Sequence, residues 1–586
     1  MRVSTLALAG SALIALASPA LAGPAEDFRK LQDDFWTAYL KAAPTFASLN
    51  GVDTYAGELE RIDRPEMERR VAEARTLLAR LDAIPASALS PAEQTNHALL
   101  RDQLQTYIDG ALFGSNFIPY TSGGTYDQNL AQYLGFLPLK TEADYESFLQ
   151  RLGKVGDRLR TANAMSLSSA RAGYARPCST LGPLDKITAS PPDADPAKSA
   201  FYEQFAKPRP TAISAAKWSA MQARARTLIT QDINPAITAF NAAYASDLKP
   251  ACLKSDGMAA LPDGKANYAY LVRYHTTTDR SPDDIHQLGL SEVARIRAEM
   301  DALAKKSGFA SREAMIADMR SNPKYFARTP EELMQYTARM TKTIDGKMPT
   351  LFGKLPRLAY TIKEIPAATA EGATTAYYFQ GSPEAGIAGT YFVNTSKLDQ
   401  RPLWEIPALT VHEAVPGHHQ QISLQQELDM PVWRKNAAYF TAFVEGWGLY
   451  SERLGIEMGL YDTPQKDMGR LGYEMWRAAR LVVDTGIHAK GWDKARAVAF
   501  MKDNTTLTDA NIDAEVNRYI STPGQALAYK LGELKIRELR TLAERELGPK
   551  FYLRRFHDAV LEQGPLPLTM LETQVRAWIA REKAKA

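Results

Sequence analysis

The sequence predicts a mainly α-helical protein, and three features predict it. Apolar residues recur at helical spacing in segment after segment. Ser-Pro-Asp-Asp at 281–284 and Thr-Pro-Glu-Glu at 329–332 are helix openings, each with a cap, a first-turn proline and acids at the positive end of the helix dipole. Strand character, meaning aromatic and β-branched runs, is chiefly confined to 376–395. With 586 residues the chain can bury a large core, as two to four domains or as one helical body.

Taken in order, residues 1–22 read as a secretory leader. Arg2 supplies the positive end, Leu6 to Ala17 an apolar stretch short for a bilayer, and Ala20-Leu21-Ala22 a small-x-small cleavage site. Cleavage after Ala22 is expected, with Gly23 rather than a lipid-accepting Cys following. The mature protein is therefore expected in the periplasm or outside the cell, without a membrane anchor. Helical patterns then run through Phe28, Leu31, Phe35 and Tyr39, through 65–81, and through 92–111. A Gly/Pro/Ser-rich loop is expected at 114–125, and a further helix from the cap Thr141 to Met165. The Pro, Ser and Asp content of 175–215 suggests a long flap-like insertion, extending to about 260. The two cysteines, Cys178 and Cys252, bracket it; they read either as an export-compatible disulfide or as two buried thiols. The helix opened at Ser281 should end near Lys305. Region 23–370 is thus an N-terminal helical part, and 371–586 carries the chemistry.

Composition excludes some partners. Charged residues make up 23% and the formal net charge is +3, with no basic block of the kind that binds nucleic acid. No sequence feature fixes an oligomeric state.

Three of the eight histidines fall within 412–419, in the sequence His-Glu-Ala-Val-Pro-Gly-His-His. His-Glu-x-x-His on a helix places two zinc ligands on one face with a glutamate general base between them. Here Pro416-Gly417 interrupts that motif. On an unbroken helix His412 and His418 would stand about 9 Å apart along the axis and about 120° apart around it. A break at Pro416, helped by the backbone freedom of Gly417, would return His418 to the metal. His412 and His418 are the expected ligands and Glu413 the base. His419, the alternative to His418, is otherwise placed behind the ligands. A catalytic zinc takes three protein ligands. Glu445, an acid in the apolar helical stretch 442–452, is the third, and Glu452 would orient a ligand histidine from behind.

Downstream, Asp484 and His488 lie four apart on one helix. Asp484 is read as the partner of His488, with His488 donating to an oxyanion. Arg480 is read as a clamp for a substrate carboxylate. Tyr519 and Tyr529 are further oxyanion donors, and Gln525 contacts substrate. Tyr391, in the Thr390–Val393 strand, is assigned to substrate binding, on the reading that an exposed strand edge can take an extended peptide. An ordinary hairpin packed on helices is the alternative.

HEAVPGHH, EGWGLYSERL, RAARLVVDTGIHAKGW and RYISTPGQALAYKLG together resemble the bacterial family known as domain of unknown function 885, over essentially the whole mature chain. That family is similar in outline to the gluzincin zinc peptidases, the carboxypeptidase Taq, thimet oligopeptidase and angiotensin-converting enzyme group. The resemblance implies a two-lobed helical body with a deep channel and a small sheet beside the zinc helix. The expected function is zinc-dependent hydrolysis of short peptides. The alternatives are a non-catalytic peptide- or metal-binding protein on the same scaffold, and a metallohydrolase of another amide or ester.

Overall fold

The structure, a computed structural model, describes residues 23–121, 123–370, 373–383 and 386–585; the expected leader lies outside them. The described chain is mainly α, with one small sheet. Helices α1 (Pro24–Ala42), α2 (Arg64–Asp82) and α3 (Pro91–Gly110) form the N-terminal wall. Their starts follow from the sequence. Asp63 accepts from the Glu66 amide, and Ser90 and Glu93 close a reciprocal cap around Pro91. Phe28, Leu31, Leu77, Leu81, Leu99 and Leu104 then enter one apolar core with Phe443, Trp447 and Trp578. Both ends of the chain build that core, so the N-terminal helices are held against the site-bearing ones.

Residues 175–260 differ from the expected flap. They contain helices Gly182–Thr188, Ala215–Leu228 and Asn234–Ala243, the last flanked by wide turns at Ile229–Ile233 and Tyr244–Leu248. Phe201, Tyr202 and Phe205, lying among the prolines, are buried with Tyr145, Phe148 and Trp218. That aromatic area is what folds the segment down. Cys178 and Cys252 form a disulfide across a separation of 74 residues, and Cys178 N donates to Leu253 O beside it.

Helix α4 (Gly264–Thr276) faces α3, and α5 (Pro282–Lys306) starts where Ser281 accepts from the Asp284 amide. Thr329 caps Pro330–Asp345 in the same way. The sheet has the order β1 (Tyr360–Glu364), β3 (Gly389–Val393), β2 (Ala376–Phe379), with β1 parallel and β2 antiparallel to β3. Tyr391, on β3, is therefore on the central strand. Both sides of its backbone are already paired, so the edge available to a peptide is not the one that carries Tyr391.

The remaining helices that matter are α6 (Ile406–Glu413), α7 (His418–Glu427), α8 (Thr441–Leu454), α9 (Pro464–Lys490), α10 (Asp509–Ser521) and α11 (Leu527–Leu547). Helix α9 packs along α5, and α8 along α11. The second contact is backbone to backbone: a Cβ on Gly446 would stand 2.5 Å from Gly532 Cα, and one on Gly532 only 1.8 Å from Ala442 O. Side chains at either position would push the helices apart.

Candidate metal centre

The interrupted motif is two helices joined by a tight turn. Helix α6 ends at Glu413, although the Ala414 amide still reaches Thr410 O at 2.9 Å. The chain then leaves the helix at Ala414 (φ −94°, ψ −119°), passes a cis Val415–Pro416 peptide, and restarts as α7 at His418. Gly417 crosses the end of α6 so closely that a Cβ would meet His412 O at 1.8 Å. Trp447 Nε1 donates to Pro416 O at 2.7 Å, pinning the turn to α8. The inserted dipeptide thereby folds His418 back, with its ring centroid 4.7 Å from that of His412.

Glu445 reaches the same point from α8. Its Oε2 lies 3.7 Å from His412 Nε2 and 3.4 Å from His418 Nε2. One donor atom from each residue falls within 4.8 Å of the others, and all three side chains are buried. Donors on a tetrahedral ion at ~2.0–2.1 Å stand about 3.3–3.5 Å apart, close to the two separations measured from Glu445. Behind it, His412 Nδ1 bonds Glu452 Oε1 at 2.8 Å, which turns the Nε2 lone pair toward Glu445. Arg477 holds that same Glu452 oxygen at 3.2 Å. Gly448, which also faces the ring, has no room for a side chain: a Cβ would sit 2.8 Å from His412 Cε1. Burial disfavours the His412 cation, but Glu445 and Glu452 outweigh it and raise the ring to about 9. Burial likewise opposes charge on Glu445, yet the two imidazoles hold its carboxyl well below the usual range. The donor set is thus arranged around positive charge. His/His/Glu is ordinary zinc chemistry.

Glu413 is buried at 8% exposure and makes no hydrogen bond or ion pair among the described residues. It lies within electrostatic reach of His412 and of the Tyr391 hydroxyl. Tyr529 stacks nearly parallel to His412, with centroids 6.5 Å apart. Burial first, and then the Glu445 charge, raise its hydroxyl to about 12. The structure therefore gathers His412, Glu413, His418, Glu445, Glu452, Tyr391 and Tyr529.

Other expected site residues are committed elsewhere. His419 is no ligand: Tyr378 Oη lies 2.9 Å from its Nδ1, and its Nε2 donates to Leu358 O at 2.9 Å. It ties α7 to the sheet rather than standing behind a ligand. Asp484 does not touch His488 as expected; it accepts from the Tyr268 hydroxyl and the Gly524 amide. His488 accepts from the Met258 amide at Nδ1 and donates to Tyr519 O at Nε2, which leaves no proton for an oxyanion. Tyr519 spends its hydroxyl on Glu515 while accepting from Trp476 and Arg480. Arg480 pairs with Glu515 at 3.0 Å, with the rings of Trp476 and Tyr529 against its guanidinium. Its Nε and Nη2 are committed and only the buried Nη1 has no hydrogen-bond partner among the described residues, so the two-armed clamp expected of it is not available. Gln525 bridges Arg518 to the Tyr529 hydroxyl and holds that ring instead of substrate. Tyr519 meets Glu515 and Gln525 meets Tyr529 only four residues away, but His419, Asp484, His488 and Arg480 are taken by partners distant in sequence, which helical spacing does not show. Arg477, the brace on Glu452, was missed for the same reason.

Burial lowers His488 to about 4, whereas an unfolded imidazole titrates near 6.5. Between those values the unfolded chain binds the extra proton, so this ring makes folding less favourable as pH falls. His488→Gln, which keeps one donor and one acceptor, should retain metal content. It should also remove on the order of 2 kcal/mol of the stability lost between pH 7 and pH 5. Urea unfolding at the two pH values reads this, and an unchanged pH slope contradicts it.

A cavity of about 1230 Å3 opens beside the centre, walled by α1 to α4 and by Ala437, Tyr439 and Phe440 just before α8. Tyr439, two residues before α8 begins, is in electrostatic reach of Glu445 and Glu413 as well as of Tyr274.

The sequence profile of one bacterial family matches residues 44–575. The chain belongs to the DUF885 family. That family is described as bacterial protein of unknown function. Two solved structures share the DUF885 architecture seen here. A candidate lipoprotein of Colwellia psychrerythraea is 26% identical, with a TM-score of 0.89 over 95% of this chain and 100% of its own. A candidate lipoprotein of unknown function from Shewanella oneidensis is 19% identical, with a TM-score of 0.71 over 94% and 99%. Comparison with curated proteins gives no match. Among the described residues no helix is long and apolar enough to cross a membrane.

Proposed function

We propose that this DUF885 protein is an exported zinc-dependent peptidase that hydrolyses short peptides. The reading is carried by one observation: His412, His418 and Glu445 converge from α6, α7 and α8 on one buried point, with the unpaired Glu413 carboxylate beside it. A bound zinc would supply Lewis acidity to a water and to the scissile carbonyl. Glu413 takes the proton from the attacking water and returns it to the leaving amine. Tyr529 holds a proton at its hydroxyl next to this point and can donate to the developing oxyanion. Glu452 and Arg477 keep His412 in the tautomer that offers Nε2. The plan resembles the gluzincin peptidases, with a two-residue insertion in the His-Glu-x-x-His helix. The Cys178–Cys252 disulfide and the lipoprotein relatives support export.

The decisive experiment incubates the metal-depleted and zinc-restored protein with short peptides and with casein. Zinc-dependent cleavage of the peptides, faster than that of casein, is expected. Stoichiometric zinc without cleavage of any peptide would leave a binding protein, and cleavage of other amides or esters alone would change the substrate class. Ligand identity is checked by metal analysis: His418→Ala should lose bound zinc, whereas His419→Ala should keep it and lose only thermal stability. Retention of zinc by His418→Ala would overturn the ligand set.

A further inference from the structure

The cavity beside the centre has an uneven charge balance. Its cations are already matched at their backs: Arg70 lies 2.9 Å from Glu66, Arg101 3.0 Å from Asp82, and Arg273 3.0 Å from Asp109. Glu73 is likewise paired with Arg69, at 3.2 Å. Asp102 and Asp279 also line the cavity, and neither has an ion pair or hydrogen bond among the described residues. The uncompensated charge in this space is therefore negative.

Around these acids the wall is aromatic. Tyr39, Tyr107, Tyr270, Tyr274 and Tyr439 line the same cavity. The negative faces of aromatic rings attract ammonium and guanidinium groups. A carboxylate beside them supplies the charge-assisted hydrogen bond. Asp102 is solvent-accessible on the open cavity wall; partial desolvation still raises its carboxyl above the ordinary range, with Arg273 opposing the shift. A cation brought in by a ligand would reverse that cost. At about 1230 Å3 the space exceeds the roughly 300–1,000 Å3 of ordinary small-molecule sites, which suits an extended ligand of several residues. Tyr439 and Phe440 in its wall immediately precede α8, the helix that carries Glu445.

We propose that this cavity is the peptide-binding arm of the site, and that Asp102 with its tyrosine wall takes an ammonium or guanidinium group of the bound peptide. This rests on the peptide reading above and names the substrate class: short peptides that carry positive charge away from the scissile bond. The cation can be the peptide's α-ammonium or a Lys or Arg side chain. Both offer the same chemistry.

The test is calorimetric titration of the zinc-loaded Glu413→Gln protein, chosen to prevent turnover, with Ala/Phe hexapeptides carrying one Lys. Three companions replace Lys by norleucine, acetylate the amino terminus, or do both. Removal of the responsible cation should weaken binding about tenfold, and the companion that shows the loss identifies the source. Added Asp102→Asn should abolish the difference between charged and neutral peptides. Raising the salt concentration should shrink it in the Asp102 protein, a check that needs no substitution. Equal affinities for all four peptides, or discrimination that survives Asp102→Asn, overturns the proposal. Failure of the two readings is distinguishable. Cation-dependent binding with no hydrolysis by the unsubstituted enzyme removes the peptidase and keeps the subsite. Hydrolysis indifferent to peptide charge does the reverse, and binding of no peptide removes both.

Discussion

Glu413→Gln should keep a full complement of zinc and lose peptide hydrolysis by at least about 10²–10⁴-fold, the usual worth of a positioned proton acceptor. The substitution preserves the shape of a buried side chain that makes no ion pair or side-chain hydrogen bond among the described residues. Only the capacity to accept a proton disappears. kcat measured beside metal content separates the two effects. Undiminished turnover with zinc present would remove Glu413 from the mechanism, and loss of zinc would show that it helps hold the ion.

Gly417→Ala is the structural counterpart. One methyl at this position would meet His412 O at 1.8 Å and Val411 O at 2.4 Å, both backbone atoms that cannot rotate away. The turn must open, and His418 moves with it. Loss of stoichiometric zinc is expected, together with destabilisation in the upper part of the ordinary range for single substitutions, about 3 kcal/mol or more. Metal analysis and urea unfolding of the purified variant read both. An alanine variant that holds zinc as the parent does would mean that the close crossing does not set the ligand geometry.

The helices, and the three side chains that converge at His412, were legible in the sequence because local rules mark each of them. Caps at Asp63, Ser90, Ser281 and Thr329 and the periodic apolar faces depend on neighbours a few residues away. Glu445 stood out as an acid in an apolar helix, and Pro416-Gly417 as a break that could return His418. Pairings across 30 or more residues were not legible. Arg480 looked available until Glu515 met it, and His488 until Met258 and the Tyr519 carbonyl did; the Tyr519 bond to Glu515, four residues back on α10, lies on a shared face and was overlooked. Helical spacing shows which groups share a face, not what stands opposite. The segment 175–215 misled differently: its prolines signalled irregular chain, while Phe201, Tyr202 and Phe205 carried enough apolar area to pack it.

The contact of Gly446 with Gly532 bears on motion. Two backbones meeting without intervening side chains leave α8 no freedom to ratchet along α11, so the height of the neighbouring Glu445 is fixed when the chain folds. The floor of the site is then an anvil. A substrate must therefore fit itself to Glu445, and not Glu445 to the substrate.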